Sequence, residues 1–259
     1  VRPTTKRGDA SIYVEGCAPE TELVVCSGGD GTLDEVVTGM LASGRRIPIG
    51  YIPAGSTNDF GISLRLPKNM LRAAEVTVTG RDFPWEVGAF NNDVFVYIAA
   101  FGLFTEVSYE TDQDIKNVLG HLAYLLEGFK RLSTIHSYPL KVTYGDQIVE
   151  DEFIFGMITN SVSVGGFKQI TGKNVELDDG VFEVTLIRKP GNPMELNAVM
   201  AALLNRDINA DCMLYFRTEQ LTVESPGPIA WTLDGEYGGS HERAVISNRH
   251  KAVIMKVKQ

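Results

Sequence analysis

Residues 24–37 read VVCSGGDGTLDEVV, where an apolar run ends in three glycines around one aspartate and a helical pattern follows at once. Leu23–Cys26 predicts a short buried strand. From Leu33 onward, apolar residues recur at the spacing of three and four residues that marks one face of a helix. Thr32 and Glu35 fit a capping box at the start of that helix. The stretch therefore predicts a strand, a glycine-rich turn and a helix, which together form a repeating unit of α/β folds.

The same order of elements occurs once more and then stops. Ile47–Ile52 predicts a second buried strand, the loop PAGSTNDFG follows it, and residues 67–78 predict a short helix, a pattern typical of a parallel sheet with helices on its faces. After Gly80, strand-like segments follow one another with turn signals between them, which predicts an antiparallel sandwich or barrel. These segments are Val94–Ala100, Leu140–Tyr144, Ile148–Thr159, Val181–Ile187, Leu214–Glu224, Ile229–Leu233, Ala244–Ser247 and Ala252–Val257, and only Val118–Leu132 and Pro193–Asn205 look helical.

The predicted fold class is α/β plus all-β. We expect a parallel α/β domain over residues 1–83 and an antiparallel, β-sandwich-like domain over residues 84–259. Two clear strands are few for a parallel domain, and the chain begins without Met on VRPTTKRGDAS. We therefore expect that a strand–helix–strand portion precedes this sequence in the whole protein.

An excess of acidic residues limits the class of partner. Acids outnumber bases 33 to 24, which gives a net charge of -9. General nucleic-acid binding needs a basic face, so we expect no nucleic-acid partner. A local basic patch against an anionic membrane stays open, with Arg45, Arg46, Arg65 and Lys68 as its candidates, and the alternative is that these side chains are simply solvated.

Cysteine usage and hydropathy indicate a compartment. The three cysteines are widely separated and form no CxxC pair, which is typical of reduced thiols. The longest apolar stretch, Val94–Phe104, is far shorter than the about 20 residues that span a bilayer. We expect a cytoplasmic protein with peripheral membrane contact, and a homodimer is left open.

The glycine-rich turn has the features of a phosphate site. Glycines let backbone N–H groups approach a ligand, and the following helix adds unsatisfied amides and a partial positive charge. The pattern is neither a Rossmann fingerprint nor a Walker A loop, so a tight strand–helix turn without a ligand stays open. Asp30 would repel a phosphate unless a cation lay between them, and Mg²⁺ prefers few carboxylates together with phosphates and waters. The acid therefore favours Mg-nucleotide over bare phosphate.

A second loop, IPAGSTNDFG, repeats this design with Ser56, Thr57, Asn58 and Asp59. In a parallel sheet both loops would lie at the carboxyl ends of strands, where ligands bind. The alternative is that Asn58 and Asp59 only cap a helix that begins before Phe60.

The two loops together resemble a known family. GGDGTLDEV followed by IPAGSTNDF, with YET at 109–111, ELDDGVFEV at 176–184 and LDGEYGG near the end, is similar to the diacylglycerol kinase catalytic domain of soluble bacterial lipid kinases. GGDGT alone also occurs in NAD kinases, but the other motifs have no good place there. The resemblance covers essentially the whole chain.

The resemblance implies a fold and an activity. A nucleotide-binding α/β domain would precede a β-rich lipid-binding domain, and the γ-phosphate of ATP would pass to a lipid hydroxyl, with diacylglycerol as the first choice. A kinase for another lipid alcohol, such as a sphingoid base or an acylglycerol, stays open as an alternative. A non-catalytic nucleotide- or lipid-binding paralogue is the third alternative.

The resemblance also implies site residues. Glu236 would be the base that takes the proton of the acceptor hydroxyl, and Asp30 and Asp59 would handle metal and phosphate during catalysis. Read without the resemblance, Asp234-Gly235 predicts a hairpin turn and Glu236 a solvent-facing acid. The ATP contacts that it implies are Thr4, Gly28, Gly29, Asp30, Gly31, Thr32, Leu33, Asp34 and Ser56. A structural Mg²⁺ would be held by the side chain of Asp179 and the carbonyls of Glu176 and Val181, and the alternative there is an ordinary turn.

Two features depart from the family pattern. Relatives usually carry Asn where this chain has Asp34, and an extra carboxylate near phosphates should weaken ATP binding unless Mg²⁺ or a basic group offsets it. The first ATP loop of the family, which follows its first strand, has no counterpart in this sequence. These departures motivate the non-catalytic alternative, while Asp30, Asp59 and Glu236 favour an enzyme.

Overall fold

A computed structural model describes residues 1–102, 135–164, 167–168, 176–205 and 210–259. The predicted helix at Val118–Leu132 and the YET motif at 109–111 lie outside these residues. The chain divides into two compact units. The first unit consists of Val1–Val87, Glu176–Gly180 and Arg249–Gln259, and the second of Gly88–Val175 and Val181–Asn248.

The first unit alternates helices and strands. Strands β1 (Val24–Gly28) and β2 (Ile49–Pro53) pair in parallel, with Val24 opposite Ile49 and Gly28 opposite Pro53. Met255 in the last strand of the chain also pairs in parallel with Ile49. Because β1 and β2 run in the same direction, their carboxyl ends lie at the same edge. The elements are α1 (Asp9–Glu15), β1 (Val24–Gly28), α2 (Asp30–Ser43), β2 (Ile49–Pro53), α3 (Asp59–Ser63) and α4 (Met70–Thr79).

The predicted capping box at the start of α2 is wrong. The helix begins at Asp30, with Gly29 as an N-cap that has no capping side chain. Thr32 therefore lies inside the first turn. Glu35 turns away to α1, where its two carboxylate oxygens accept N–H groups of Gly8 and Ala10 at 2.8 and 3.1 Å. Glu35 thus caps a neighbouring helix and fastens α1 to α2.

The second unit is built of antiparallel strands. The elements that follow α4 along the chain are β3 (Arg81–Phe90), β4 (Asp93–Phe95), β5 (Ile98–Gly102), β6 (Tyr138–Tyr144), β7 (Gln147–Thr159), β8 (Ser163–Val164), β9 (Phe167–Lys168), β10 (Phe182–Arg188), α5 (Pro193–Asn205), β11 (Met213–Thr218), β12 (Gln220–Leu233) and β13 (Glu236–Val257). In the sheet of the second unit β12 pairs with β5, β5 with β7, β7 with β10 and β10 with β11, while β6 pairs with both β12 and β7.

The architecture is mixed α/β and β, as the sequence predicts, with differences in the strands. The predicted strand at Leu214–Glu224 is divided, since β11 ends at Thr218 and β12 begins at Gln220. The strands predicted at Ala244–Ser247 and Ala252–Val257 belong to one long strand, β13, whose two parts lie in different units. Length explains the second error, because an ordinary strand has about five or six residues and β13 has 22.

The interior of each unit is aromatic and aliphatic. In the first unit the rings of Phe60 and Trp85 lie 4.5 Å apart between centroids, and both side chains are fully buried. In the second unit Trp231 lies between Phe90 and Phe101, at centroid distances of 5.0 and 4.8 Å. These cores fix the strands whose ends carry the predicted site residues.

Candidate functional site

The two predicted phosphate loops are in direct contact at the carboxyl ends of β1 and β2. Ala54 donates its N–H to the carbonyl oxygen of Gly28 at 2.8 Å. A Cβ atom at Gly55 would lie 2.6 Å from the Cα atom of Gly29, which is closer than real Cβ contacts allow. The loops therefore meet backbone to backbone, and glycine is required at this crossing because any side chain would separate them.

Asp30 holds the two loops together through its carboxylate. One oxygen accepts the N–H of Asp59 at 3.0 Å, and the other accepts the N–H of Phe60 at 3.3 Å. Burial raises the pKa of Asp30 above its ordinary value, and the nearby charge of Asp59 raises it further. The contacts of this acid thus run to the second loop, and its part in cation binding stays a prediction.

The second loop has its own internal bonds. Asn58 adopts the left-handed conformation with φ 54°, and its amide group bonds to Gly55, accepting the N–H at 2.9 Å and donating to the carbonyl at 2.7 Å. Tyr51 in β2 lies 3.2 Å from the carbonyl oxygen of Gly28 and donates its hydroxyl to it. Asn58 occupies the N-cap position of α3 without a side-chain cap bond there. The capping role falls to Asp30, and sequence reasoning missed both that bond and Tyr51.

The residues predicted to contact ATP and phosphate around the two loops differ in their solvent exposure. Ser56 is exposed, whereas the side chain of Asp59 is 1% exposed. Leu33 is also buried in the core, so only its backbone can reach a ligand. The side chain of Thr32 covers Gly28, because a Cβ at Gly28 would lie 2.7 Å from the Thr32 hydroxyl oxygen. Gly31 is exposed, and Gly29 and Asp34 are half-buried.

Thr4 is exposed, and the two residues that follow it are held by hydrogen bonds to Asp9. The carboxylate of Asp9 accepts the backbone N–H of Thr5 at 2.8 Å, its hydroxyl at 2.9 Å and the N–H of Lys6 at 3.1 Å. Glu35 then links the following turn to α2, the helix that the glycine loop precedes. Sequence reasoning missed Asp9 and this use of Glu35.

The motif LDGEYGG forms a hairpin in the second unit. Asp234 and Gly235 have φ 52° and 87°, and Leu233 pairs with Glu236 across the turn. Positive φ at both central residues is typical of a two-residue hairpin turn, so the turn predicted from Asp-Gly is confirmed. Glu236 is exposed at the start of β13.

Asp234 is the buried member of this motif. Its carboxylate accepts three consecutive backbone N–H groups, from Val96, from Tyr97 at 2.9 Å and from Ile98 at 3.0 Å. The side chain is buried, with 8% of its residue surface exposed. The hairpin that carries Glu236 is therefore pinned to the segment that enters β5.

The predicted structural metal turn is held by a buried acid. In the first unit Glu86 is fully buried, and its carboxylate accepts the N–H of Gly180 and lies 2.6 Å from Nδ1 of His250. Glu176 is exposed, while Asp179 and Val181 are half-buried. Across the described ranges, no three His, Cys, Asp or Glu side chains form a metal-binding group. The Mg²⁺ at this turn stays a prediction.

None of the helices described here is long and apolar enough to cross a membrane.

Comparisons with known proteins agree on one family. A sequence profile of the diacylglycerol kinase catalytic domain matches residues 1–90. The chain is 32% identical over 255 residues to the diacylglycerol kinase of Bacillus subtilis (strain 168), a match that covers 97% of this chain and 84% of the relative. It is 34% identical over 238 residues to the diacylglycerol kinase of Staphylococcus carnosus (strain TM300), covering 91% of this chain and 77% of the relative.

Solved structures have the same fold. A crystal structure from Bacillus anthracis str. Sterne superimposes with a TM-score of 0.84 at 26% identity and covers 98% of this chain and 84% of that chain. A second crystal structure, of a diacylglycerol kinase from the same strain, superimposes with a TM-score of 0.77 at 24% identity and covers 98% of this chain and 83% of that chain.

Proposed function

Because this chain belongs to the diacylglycerol kinase family, we propose that it transfers the γ-phosphate of ATP to the hydroxyl of a membrane lipid. Diacylglycerol is the first choice of acceptor, and phosphatidic acid is then the product. Residues 1–83 bind the nucleotide and residues 84–259 bind the lipid. The protein works in the cytoplasm and meets the membrane peripherally.

The observation that carries this proposal is the bond from Asp30 to the second loop. The Asp30 carboxylate accepts the N–H groups of Asp59 and Phe60, and the Gly29 and Gly55 backbones touch. Two loops at the ends of adjacent parallel strands are thus held as one surface, at the edge where α/β sheets bind ligands. Backbone amides of the glycine loop and the start of α2 would bind the ATP phosphates there.

The residues beside this surface fit a divalent cation. The charge of Asp59 contributes to the raised pKa of Asp30, so the two carboxylates repel each other. A cation between phosphate and carboxylate would relieve that repulsion, and Mg²⁺ is bound well by few carboxylates with phosphates and waters. When bound, Mg²⁺ neutralises charge on the transferring phosphoryl group. Asp179 and the carbonyls of Glu176 and Val181 would hold the structural ion.

Glu236 suits the role of the base. The buried Asp234 pins its hairpin, and Glu236 itself lies exposed two residues later. A carboxylate on a fixed element can take the proton of an acceptor hydroxyl that comes within hydrogen-bond reach.

The test compares two glutamates of β13, Glu236 and the exposed Glu242. The purified protein is given Mg-ATP and diacylglycerol in mixed micelles, and phosphatidic acid is measured. Glu236→Gln lowers kcat about 10²–10⁴-fold, because a general base is lost, whereas Glu242→Gln leaves kcat unchanged. Equal activity of the two variants contradicts the role of Glu236.

Parallel assays with a sphingoid base and a monoacylglycerol identify the acceptor. Preference for one of these over diacylglycerol corrects the substrate and keeps the reaction type. ATP binding without turnover of any lipid alcohol favours the non-catalytic paralogue. Asp34, at a position where relatives usually carry Asn, is the residue that suggests this alternative. Absence of both ATP binding and turnover contradicts the proposal as a whole.

A further inference from the structure

A basic and apolar segment follows the second loop. Residues 60–74 read FGISLRLPKNMLRAA and contain three cations and no acid, in a chain of net charge -9. Large apolar side chains are exposed in the same place, with Met70 at 50% and Leu71 at 78% of their residue surfaces. The segment thus combines a local charge opposite to that of the whole chain with uncovered apolar surface.

The cations of this segment are exposed and available. Arg65, Lys68 and Arg72 are all solvent-exposed. Within the part of the chain that the structure describes, none of the three is in an ion pair. We call Arg65, Lys68, Met70, Leu71 and Arg72 the basic–apolar surface.

The basic–apolar surface stands on a fixed base. Leu64 and Leu66, on either side of Arg65, are buried, and Arg65 itself holds φ 53°. Ala73, Val76 and Thr77 form the buried face of α4, which packs against β2. Met70 and Leu71 are therefore presented to solvent by a helix whose other face is occupied, and their exposure does not come from a loose end.

One exposed apolar residue of the second unit, Ile148, lies in an acidic setting. Ile148 in β7 is 61% exposed, but its neighbours in sequence include Asp146, Glu150 and Asp151. An anionic leaflet attracts cations near its surface and repels such an acidic setting. Charge therefore distinguishes the two apolar sites, and of these two the basic–apolar surface is the one complementary to an anionic bilayer.

We propose that the basic–apolar surface docks the protein on an anionic bilayer. The charged ends of Arg65, Lys68 and Arg72 bind lipid phosphates, while Met70 and Leu71 enter the boundary between headgroups and acyl chains. The inference rests on the proposed function in one respect, since a kinase for a membrane lipid must reach its acceptor in the bilayer. It assigns that contact to the segment that begins two residues after α3.

The test measures binding of the whole chain to vesicles of equal parts phosphatidylglycerol and phosphatidylcholine by co-sedimentation. Lys68→Glu/Arg72→Glu is compared with Arg249→Glu/Lys258→Glu, which makes the same change of net charge at exposed sites elsewhere. The first pair lowers the partition coefficient about 30-fold or more, because each cation near an anionic leaflet contributes about fivefold. The control pair changes it by less than about threefold, since only cations near the membrane count.

A second pair tests the apolar part. Leu71→Gln lowers partition roughly fivefold, whereas Ile148→Gln has no effect. The variants should remain folded, because α4 already has an N-cap at Asn69, whose side chain accepts the N–H of Arg72, and acids are favoured in a first helical turn. Urea unfolding midpoints equal to that of the parent protein check this.

Four results overturn the proposal. They are failure of the unaltered chain to bind these vesicles, unchanged binding in Lys68→Glu/Arg72→Glu, equal loss in both charge pairs, and dissociation of a dimer by the first pair with vesicle binding intact. Diacylglycerol turnover in neutral detergent micelles stays unchanged in both charge pairs. Absence of turnover in the unaltered chain contradicts the kinase activity, whereas vesicle binding judges the docking surface whichever way that assay comes out.

Discussion

The phosphate loops and the DGE hairpin are both fastened by an aspartate that binds backbone N–H groups of a distant segment. Asp30 accepts two such groups, at the start of α3, and Asp234 accepts three, at the entry to β5. The neighbourhoods differ. Asp30 lies near the charge of Asp59, whereas the acid proposed for chemistry in the hairpin, Glu236, is a separate and exposed residue.

The difference separates two ways of building a site. In the hairpin one carboxylate fixes the backbone and another performs the proposed chemistry, so the two tasks can be changed independently. In the phosphate loops Asp30 does both, since it joins the loops and is proposed to serve the metal and phosphate. Substitution should therefore separate stability from activity in the hairpin and affect both together at Asp30.

The largest expected effect is the loss of stability on Asp234→Ala. Three buried N–H groups lose their acceptor, and each buried donor left unpaired costs about 1–3 kcal/mol. We expect the free energy of unfolding to fall by roughly 3–5 kcal/mol, measured by urea denaturation.

The matched change in the same turn is Glu236→Gln. It should alter the free energy of unfolding by less than about 0.5 kcal/mol, as exposed substitutions usually do, while turnover is lost. A fall of similar size in both variants would break the division of tasks in the hairpin.

Local patterns were sufficient for β1, α2, β2 and α4 of the first unit, but they did not indicate α1 or β3. The buried face predicted from Leu33 onward is that of α2, and glycine spacing located both loops. The Asp-Gly turn ahead of Glu236 also follows from local sequence, because few residues other than Asn, Asp and Gly tolerate positive φ.

Long-range bonds of acidic side chains could not be predicted from the sequence. Asp30 reaches a backbone 29 and 30 positions away, Glu35 reaches back 25 and 27 positions, and Asp234 reaches back more than 130. A carboxylate accepts a backbone N–H from any segment that folding brings near. The type and spacing of residues therefore do not identify the backbone group that a carboxylate will bind. For this reason the sequence predicts that Glu35 caps its own helix, whereas in the structure it caps α1.

The next largest effect is expected from Gly55→Ala, which tests the backbone contact between the two phosphate loops. Gly55→Ala puts a Cβ 2.6 Å from the Cα of Gly29, so the backbones must separate. We expect a loss of about 1–3 kcal/mol in the free energy of unfolding and a higher KM for ATP, because the phosphate-binding amides move apart.

Gly227→Ala is the control for this change. A Cβ at Gly227 meets nothing within 4 Å, and its backbone has no positive φ, so stability and KM should stay the same. If Gly55→Ala left the KM for ATP unchanged, the contact between the loops would have no part in nucleotide binding.

The smallest effect is a difference in pH dependence between two acids that hold backbone in the first unit. Hydrogen bonds from Thr5 lower the pKa of Asp9, whereas burial and the charge of Asp59 raise the pKa of Asp30. Ionised Asp9 thus stabilises the fold at pH values above the unfolded pKa of about 3.9, and this stabilisation is lost as the pH falls below that value. Asp30 has the opposite sign, because its folded pKa is raised, so its ionisation lowers the stability of the fold as the pH rises above about 3.9. Urea denaturation from pH 3 to pH 7 should show the advantage of the parent over Asp9→Asn growing with pH, and its advantage over Asp30→Asn shrinking. If the stabilities of the parent and of Asp30→Asn changed with pH in parallel, ionised Asp30 would carry no penalty in the fold. Asp30 would then only bind backbone N–H groups, as Asp234 does, and the proposed repulsion between Asp30 and Asp59 would be contradicted.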